Sequence, residues 1–217
     1  MTRLDLPSDI GFVLVASPFT GPFAWSKVAP RLRGDGHRVE VLGVDPALDA
    51  PAVLVAHSGG GPRLPSLAAR RAGVVGMVLV DALLPHPGRS WSQTVPEKFA
   101  TRLRAGAVDG KLAPWPQWWG DDHMRDLIPD DDLCDEFVRS CAGVPVEWID
   151  EVMPEVAEPA AAFVQLSEAY TSETETARTH GWPVLVFEMD HLALLTQPDA
   201  IAAAIAQAAK LLPASGS

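Results

Sequence analysis

Five apolar runs of strand length break off sharply at polar, glycine or proline residues, and segments of helical spacing separate most of them. The runs are FVLVA at 12–16, closed by Ser17-Pro18; RVEVLGV at 38–44, closed by Asp45-Pro46; VLVA at 53–56; VVGMVLVDA at 74–82, stopping at Asp81; and GWPVLVFEM at 181–189. Runs this short and this continuous suit strands covered on both faces. Between the first two, Phe23, Val28 and Leu32 fall at roughly helical spacing and the segment ends on Gly34 and Gly36, the usual punctuation of a helix C-terminus. PRLPSLAARRAG reads as a second helix and PDAIAAAIAQAAKLL as a last one, its Pro198 suiting the first turn. Strand alternating with helix predicts the α/β class: a mostly parallel sheet with helices on both faces.

The alternation fails between 86 and 179, where the chain is rich in Pro, Trp and acidic residues and shows helical spacing without a convincing strand. We read this stretch as a helical cap inserted into a core made of 1–85 and 180–217. A chain of 217 residues is enough for one such domain, burying roughly 70% of its unfolded surface. The acidic run Asp130-Asp131-Asp132 reads as a solvated helix start, and the tail PASGS as frayed.

The net charge of −11, with no block of Lys and Arg, argues against nucleic acid and anionic membrane as partners. No stretch approaches the roughly eighteen apolar residues of a membrane span, and the N-terminus lacks the pattern of a secretory signal. A cytoplasmic protein is expected. Cys134 and Cys141, the two cysteines, are seven apart and fit buried thiols better than a disulfide framework. The histidines share no metal-ligand spacing, so neither a metal nor an organic cofactor is expected.

The most informative stretch is VLVAHSGGGPRLP, Val53 to Pro65. A turn could be made with one glycine. The order strand, small residue, any residue, nucleophile, any residue, small residue, helix is met by Ala56-His57-Ser58-Gly59-Gly60. Such a turn presents the serine from a strained backbone, and its neighbours must be small so that strand and helix can approach.

At these residues the chain resembles the α/β-hydrolase superfamily, and within it the small actinobacterial-type serine hydrolases with a helical cap. The resemblance rests on VLVASPFTGPFAW, the elbow AHSGGGP, the strand end VLVDALLPHPGRSW, and MDHLALLTQPDAI, where the family places its histidine. It implies Ser58 as nucleophile and His191 as general base. It also implies the Gly59 N–H as one oxyanion donor and, from the loop after the first strand, the Phe19 N–H as a second, with the Thr20 hydroxyl as an addition. Two departures stand out. Ser17-Pro18 replaces the family's His-Gly, and the stretch between Asp45 and Val53 is shorter than usual, so a layer of cover over the sheet is expected to be lost there.

In much of the family the acid follows the strand before the histidine strand, and the sequence offers no separate turn for it. Asp81 is the leading candidate and Glu188 the alternative. His57 reads as a packing residue behind the elbow. Trp115, Trp118 and Trp119 are either the core of the cap or the lining of a substrate pocket, and the lone Tyr170 is either a core residue or one that points into the site. The function implied is hydrolysis of an ester, thioester or lactone of a small apolar acyl compound, free or carrier-bound. The alternatives are a lyase, cyclase or acyl transferase on the same fold, and a catalytically silent binding protein.

Overall fold

The computed structural model describes residues 10–49, 51–119 and 122–213. The expected fraying of the tail falls mainly on 214–217, outside the described residues. Six strands, β1 (Gly11–Val15), β2 (Arg38–Val41), β3 (Ala52–Ser58), β4 (Val74–Ala82), β5 (Ala161–Gln165) and β6 (Val184–Val186), form one sheet in the order β2-β1-β3-β4-β5-β6. Every neighbouring pair is parallel. The helices are α1 (Val28–Gly34), α2 (Leu64–Arg70), α3 (Glu97–Ala105), α4 (His123–Leu127), α5 (Asp131–Ser140), α6 (Thr171–Thr179), α7 (Ala193–Thr196) and α8 (Pro198–Lys210).

Alternate residues of each strand feed two separate cores, because successive side chains point to opposite faces. Phe12, Leu14, Val53, Val55, Val78 and Val80 pack with Val28 and Leu32 of α1 and with Ile201 and Ile205 of α8. Val13, Leu54, Met77, Leu79 and Phe163 pack on the other face with Leu64 of α2 and Ala177 of α6. The sheet is therefore covered on both sides, which is why its strands are apolar runs and not alternating ones.

The middle of the chain differs from the expectation. Ala161–Gln165 is a fully buried strand between β4 and β6, and α6 packs against it, so the inserted segment ends before Ala161 and not at 179. The strand escapes sequence reading because AAFVQ begins with two alanines and ends with a glutamine. The helix behind it, TSETETART, buries only Thr174 and Ala177. The final strand is also shorter than the apolar run, although Phe187 N and Met189 N continue to donate, to Gln165 O at 3.0 Å and Leu166 O at 2.8 Å.

The short stretch after β2 does not leave the sheet bare. Leu48 packs over Gly11, where a Cβ would lie 2.8 Å from Leu48 Cδ1. Buried Glu40 accepts from Leu48 N at 2.9 Å, and Arg71 pairs with Glu40 and donates to Leu48 O at 3.0 Å. Leu48, held by these bonds, packs against the core on that face of the sheet.

The cap has its own core, in which Trp91, Leu112, Trp115, Ile128, Phe137 and Ile149 meet Phe19, Leu192 and Leu195 of the sheet domain. The acidic run starts α5 as expected, with Asp130 accepting from Leu133 N at 2.9 Å and Asp131 and Asp132 in the first turn. Cys134 and Cys141 are both free and buried.

Candidate active site

Ser58 ends β3 with φ at 55°, in the left-handed region. The three glycines after it each leave room for something specific. A Cβ on Gly59 would lie 2.9 Å from Ser17 Oγ and 3.1 Å from the Phe19 ring. On Gly60 it would lie 3.0 Å from Val15 O, and on Gly61 only 1.9 Å from Leu83 O. The chain leaving the elbow is thus pressed between the ends of β1 and β4, and side chains there would push the sheet apart.

Asp81 also has positive φ, 42°, and sits where the pairing of β3 and β4 slips by one residue: His57 faces Val80, but Ser58 faces Ala82. Such a bulge re-aims the extra side chain. The Asp81 carboxylate is fully buried. Its Oδ2 lies 2.8 Å from His191 Nδ1 and accepts from Ser167 Oγ at 2.6 Å, while Oδ1 accepts from Leu166 N at 2.8 Å and Ser167 N at 3.0 Å. Burial favours the neutral acid, but the hydrogen bond and charge of His191 and the bonds from Ser167 outweigh it and hold the carboxyl below its ordinary value of 3.8. A carboxylate here fixes the Nδ1–H tautomer of His191 and leaves Nε2 to act as a base. Glu188 is exposed and makes no such contact.

His191 follows β6 and precedes α7, and its ring is packed between two others. His57 stacks at 4.4 Å between centroids with planes at 30°, and Tyr170 at 5.2 Å with planes at 11°. His57 Nε2 also lies 3.0 Å from His191 O, as expected of a residue that packs behind the elbow. Burial first, and the neighbouring His191 charge second, push the His57 pKa from 6.5 down to about 3. It therefore presents a neutral face to His191. The Tyr170 ring thus lies against His191, and its hydroxyl is near enough to the Ser58 side chain to interact with it.

The loop after β1 differs from the expectation. Phe19 N is already committed, donating to Ser17 Oγ at 3.2 Å, because the Ser17 hydroxyl oxygen turns back into the loop. The Phe19 ring instead covers Gly59 and packs on Trp91, Trp118 and Trp148. Thr20 is fully buried and its Oγ1 has no hydrogen-bond partner. Among the tryptophans, Trp115 reaches His191, with ring centroids 6.0 Å apart. Trp118 belongs to the Phe19 cluster and donates its Nε1–H to Ala113 O at 2.7 Å. Trp119 stands further out, 39% exposed, against Phe99, Trp115 and His123.

Sequence reading missed Ser167. It lies on the turn after β5, the very place where the acid of related folds was expected and no turn was visible, and there it holds Asp81. A groove of about 590 Å³ runs along the seam of cap and core, lined by Ser17, Pro18, Arg63, Arg70 and Glu151 among others, and touches neither Ser58 nor His191. Among the described residues no cluster of His, Cys, Asp and Glu could hold a metal ion, and no helix is long and apolar enough to cross a membrane.

No protein-family model and no curated protein matches this sequence. Solved structures do. An extracellular α/β-hydrolase from a Paenibacillus species, described as sharing structural and functional homology with tobacco salicylic acid binding protein 2, superposes with a TM-score of 0.74 at 17% identity, over 92% of this chain and 98% of that one. Polyneuridine aldehyde esterase gives 0.68 at 17% identity, over 92% and 99%. A variant of tomato methylketone synthase I complexed with β-ketoheptanoate gives 0.64 at 17%, over 93% and 98%. At these identities the likeness is one of fold.

Proposed function

The chain has the α/β-hydrolase fold, and from that premise we propose that it is a serine hydrolase acting on an ester, thioester or lactone of a small apolar acyl compound through an acyl-enzyme. The observation that carries this reading is the Asp81–His191 pair at 2.8 Å, at the same sheet edge as a serine held at φ 55°. In the proposed reaction His191 Nε2 takes the Ser58 proton as Oγ bonds to the carbonyl carbon, and the carbonyl electron pair moves to oxygen. Gly59 N–H, at the start of the following turn, donates to that oxyanion. The intermediate collapses as the bond to the leaving group breaks and His191 returns the proton to it; water then repeats the sequence on the acyl-enzyme. Phe19, Trp115 and Tyr170 give the acyl group an apolar surround. The substrate is a small molecule, free or presented by a carrier.

The committed Phe19 N–H favours a second reading, in which the same residues perform a lyase or cyclase reaction by proton transfer, with no acyl-enzyme oxyanion to stabilise. A fluorophosphonate probe and a panel of p-nitrophenyl esters and acyl thioesters separate the two. Labelling at Ser58 with turnover supports the hydrolase. Labelling without turnover supports the second reading, and no labelling of the folded protein overturns both. Ser58→Ala should abolish labelling, and His191→Ala should nearly do so near pH 7.

A further inference from the structure

We propose that the Tyr170 hydroxyl is a catalytic hydrogen-bond donor of this site, holding the oxyanion formed at Ser58 in the role that a backbone N–H of the loop after β1 fills in the pattern expected from the sequence. The assignment rests on the serine-hydrolase reading and goes beyond it.

The first ground is a shortage in that loop. Pro18 has no N–H to offer, and the N–H of Phe19 is spent on Ser17 Oγ at 3.2 Å. With those two gone, that side is left with Gly59 N–H and the Thr20 hydroxyl, buried without a hydrogen-bond partner, where such sites use two or more donors. The second ground is where Tyr170 stands. Its ring lies nearly parallel to His191, 5.2 Å away with planes at 11°, and its hydroxyl faces Ser58. A ring stacked on the base, with its hydroxyl on the side of the nucleophile, stands beside the carbon that Ser58 attacks. The third ground is how it is held. Tyr170 closes the 3-10 turn Glu168–Tyr170, and its N donates to Ser167 O at 3.3 Å. Ser167 is the residue that grips Asp81 through both its N–H and its hydroxyl. One short turn thus positions the acid's support and the proposed donor together, so the donor is set before substrate arrives, as electrostatic stabilisation requires.

Burial pushes the phenol above its ordinary value of 10.0, against the contact with Ser58, and keeps its proton on. No proton leaves Tyr170 in the reaction: the O–H donates to the oxyanion as the Ser58 Oγ–carbon bond forms, and is released when the carbonyl reforms. The face of the same ring lies against His191 as that imidazole becomes cationic, a favourable placement for a π system.

Tyr170 is the only tyrosine in the chain, which makes the test clean. Tyr170→Phe keeps the ring and its stack. It should lower kcat about a hundredfold, leave KM within a few-fold, and weaken inhibition by phenylboronic acid, whose tetrahedral adduct on Ser58 places an oxygen at the oxyanion position, by the same factor as kcat/KM. A merely structural tyrosine would not tie boronate affinity to kcat/KM. Wild-type protein that turns over esters beside a Tyr170→Phe variant within threefold of it overturns this assignment alone. A hundredfold loss in Thr20→Val with none in Tyr170→Phe does the same and moves the donor to Thr20. Wild-type protein that neither labels nor turns over removes the hydrolase reading and the assignment with it. Should Tyr170→Phe not fold, uniform 3-fluorotyrosine marks this one residue, and its ¹⁹F resonance should shift when the boronate adduct forms; an unmoved resonance overturns the proposal.

Discussion

The Ser167 hydroxyl donates to Asp81 Oδ2 at 2.6 Å, on the same oxygen that faces His191 Nδ1 at 2.8 Å. With two backbone N–H groups on Oδ1, the carboxylate is held on all sides and cannot turn away from the imidazole. A buried carboxylate accepting this many bonds stays ionised.

That arrangement ranks the acids. Asp81→Asn should lower kcat by about four orders of magnitude by presenting an amide where a carboxylate fixes the tautomer. Ser167→Ala removes one of four contacts and should cost about tenfold, the order of one charge-assisted bond. Glu188→Gln should leave the rate within a few-fold of wild type. Steady-state kinetics on one ester check all three, and a larger loss in Glu188→Gln than in Asp81→Asn would move the acid.

The elbow glycines are not equivalent to the others. In Gly61→Ala a Cβ would meet Leu83 O at 1.9 Å, and backbone cannot yield as a flexible side chain does. The expected loss is about 3 kcal/mol or more, roughly 6–12 °C in Tm for a chain of this size. Gly34, at the end of α1, has nothing within 4 Å of a Cβ, so Gly34→Ala should be neutral or stabilise by up to about 1 kcal/mol. Thermal unfolding of the two variants side by side tests the contrast.

His57 should give the stability a pH slope. Its folded pKa of about 3 lies below the ordinary 6.5, so between those values the unfolded chain holds a proton that the folded chain does not. Stability from this group is complete above pH 6.5 and is lost as pH falls toward 3, at up to about 1.4 kcal/mol per pH unit. Asp81, whose carboxyl is depressed below 3.8, loses its contribution only at lower pH. Urea unfolding between pH 4.5 and 6.5 should therefore show a slope that His57→Gln flattens. A slope unchanged in that variant would place the titrating group elsewhere.

Within the cap, Trp115 and Trp119 should behave differently. Trp115 is 8% exposed and packs on Phe137 and His191, so Trp115→Ala should cost about 3–5 kcal/mol. Trp119 is 39% exposed, and Trp119→Ala should cost less than about 1 kcal/mol. Denaturant midpoints decide this, and equal losses would mean that Trp119 is core as well.

What the sequence determined by itself was local. The runs 12–16, 53–56 and 74–82 are apolar enough to be strands wherever they pair, and AHSGGGP can be little other than a tight strand-to-helix turn, because its requirement for missing Cβ atoms is written in the residues that lack them. The tertiary structure decided whatever depends on which strand lies beside which. β5 could not be recognised from AAFVQ, since its burial comes from β4, β6 and α6 and not from its own hydrophobicity. With β5 unseen, the turn that carries Ser167 and Tyr170 had no place in the fold, and neither could be put beside Asp81, 86 residues away in the case of Ser167. Phe19 could be assigned from sequence to the loop after β1, but not the fact that its N–H is claimed by a hydroxyl two residues back. Local sequence sets which backbone shapes are cheap; only the packed sheet brings distant donors and acceptors within 3 Å and settles which of them are left free.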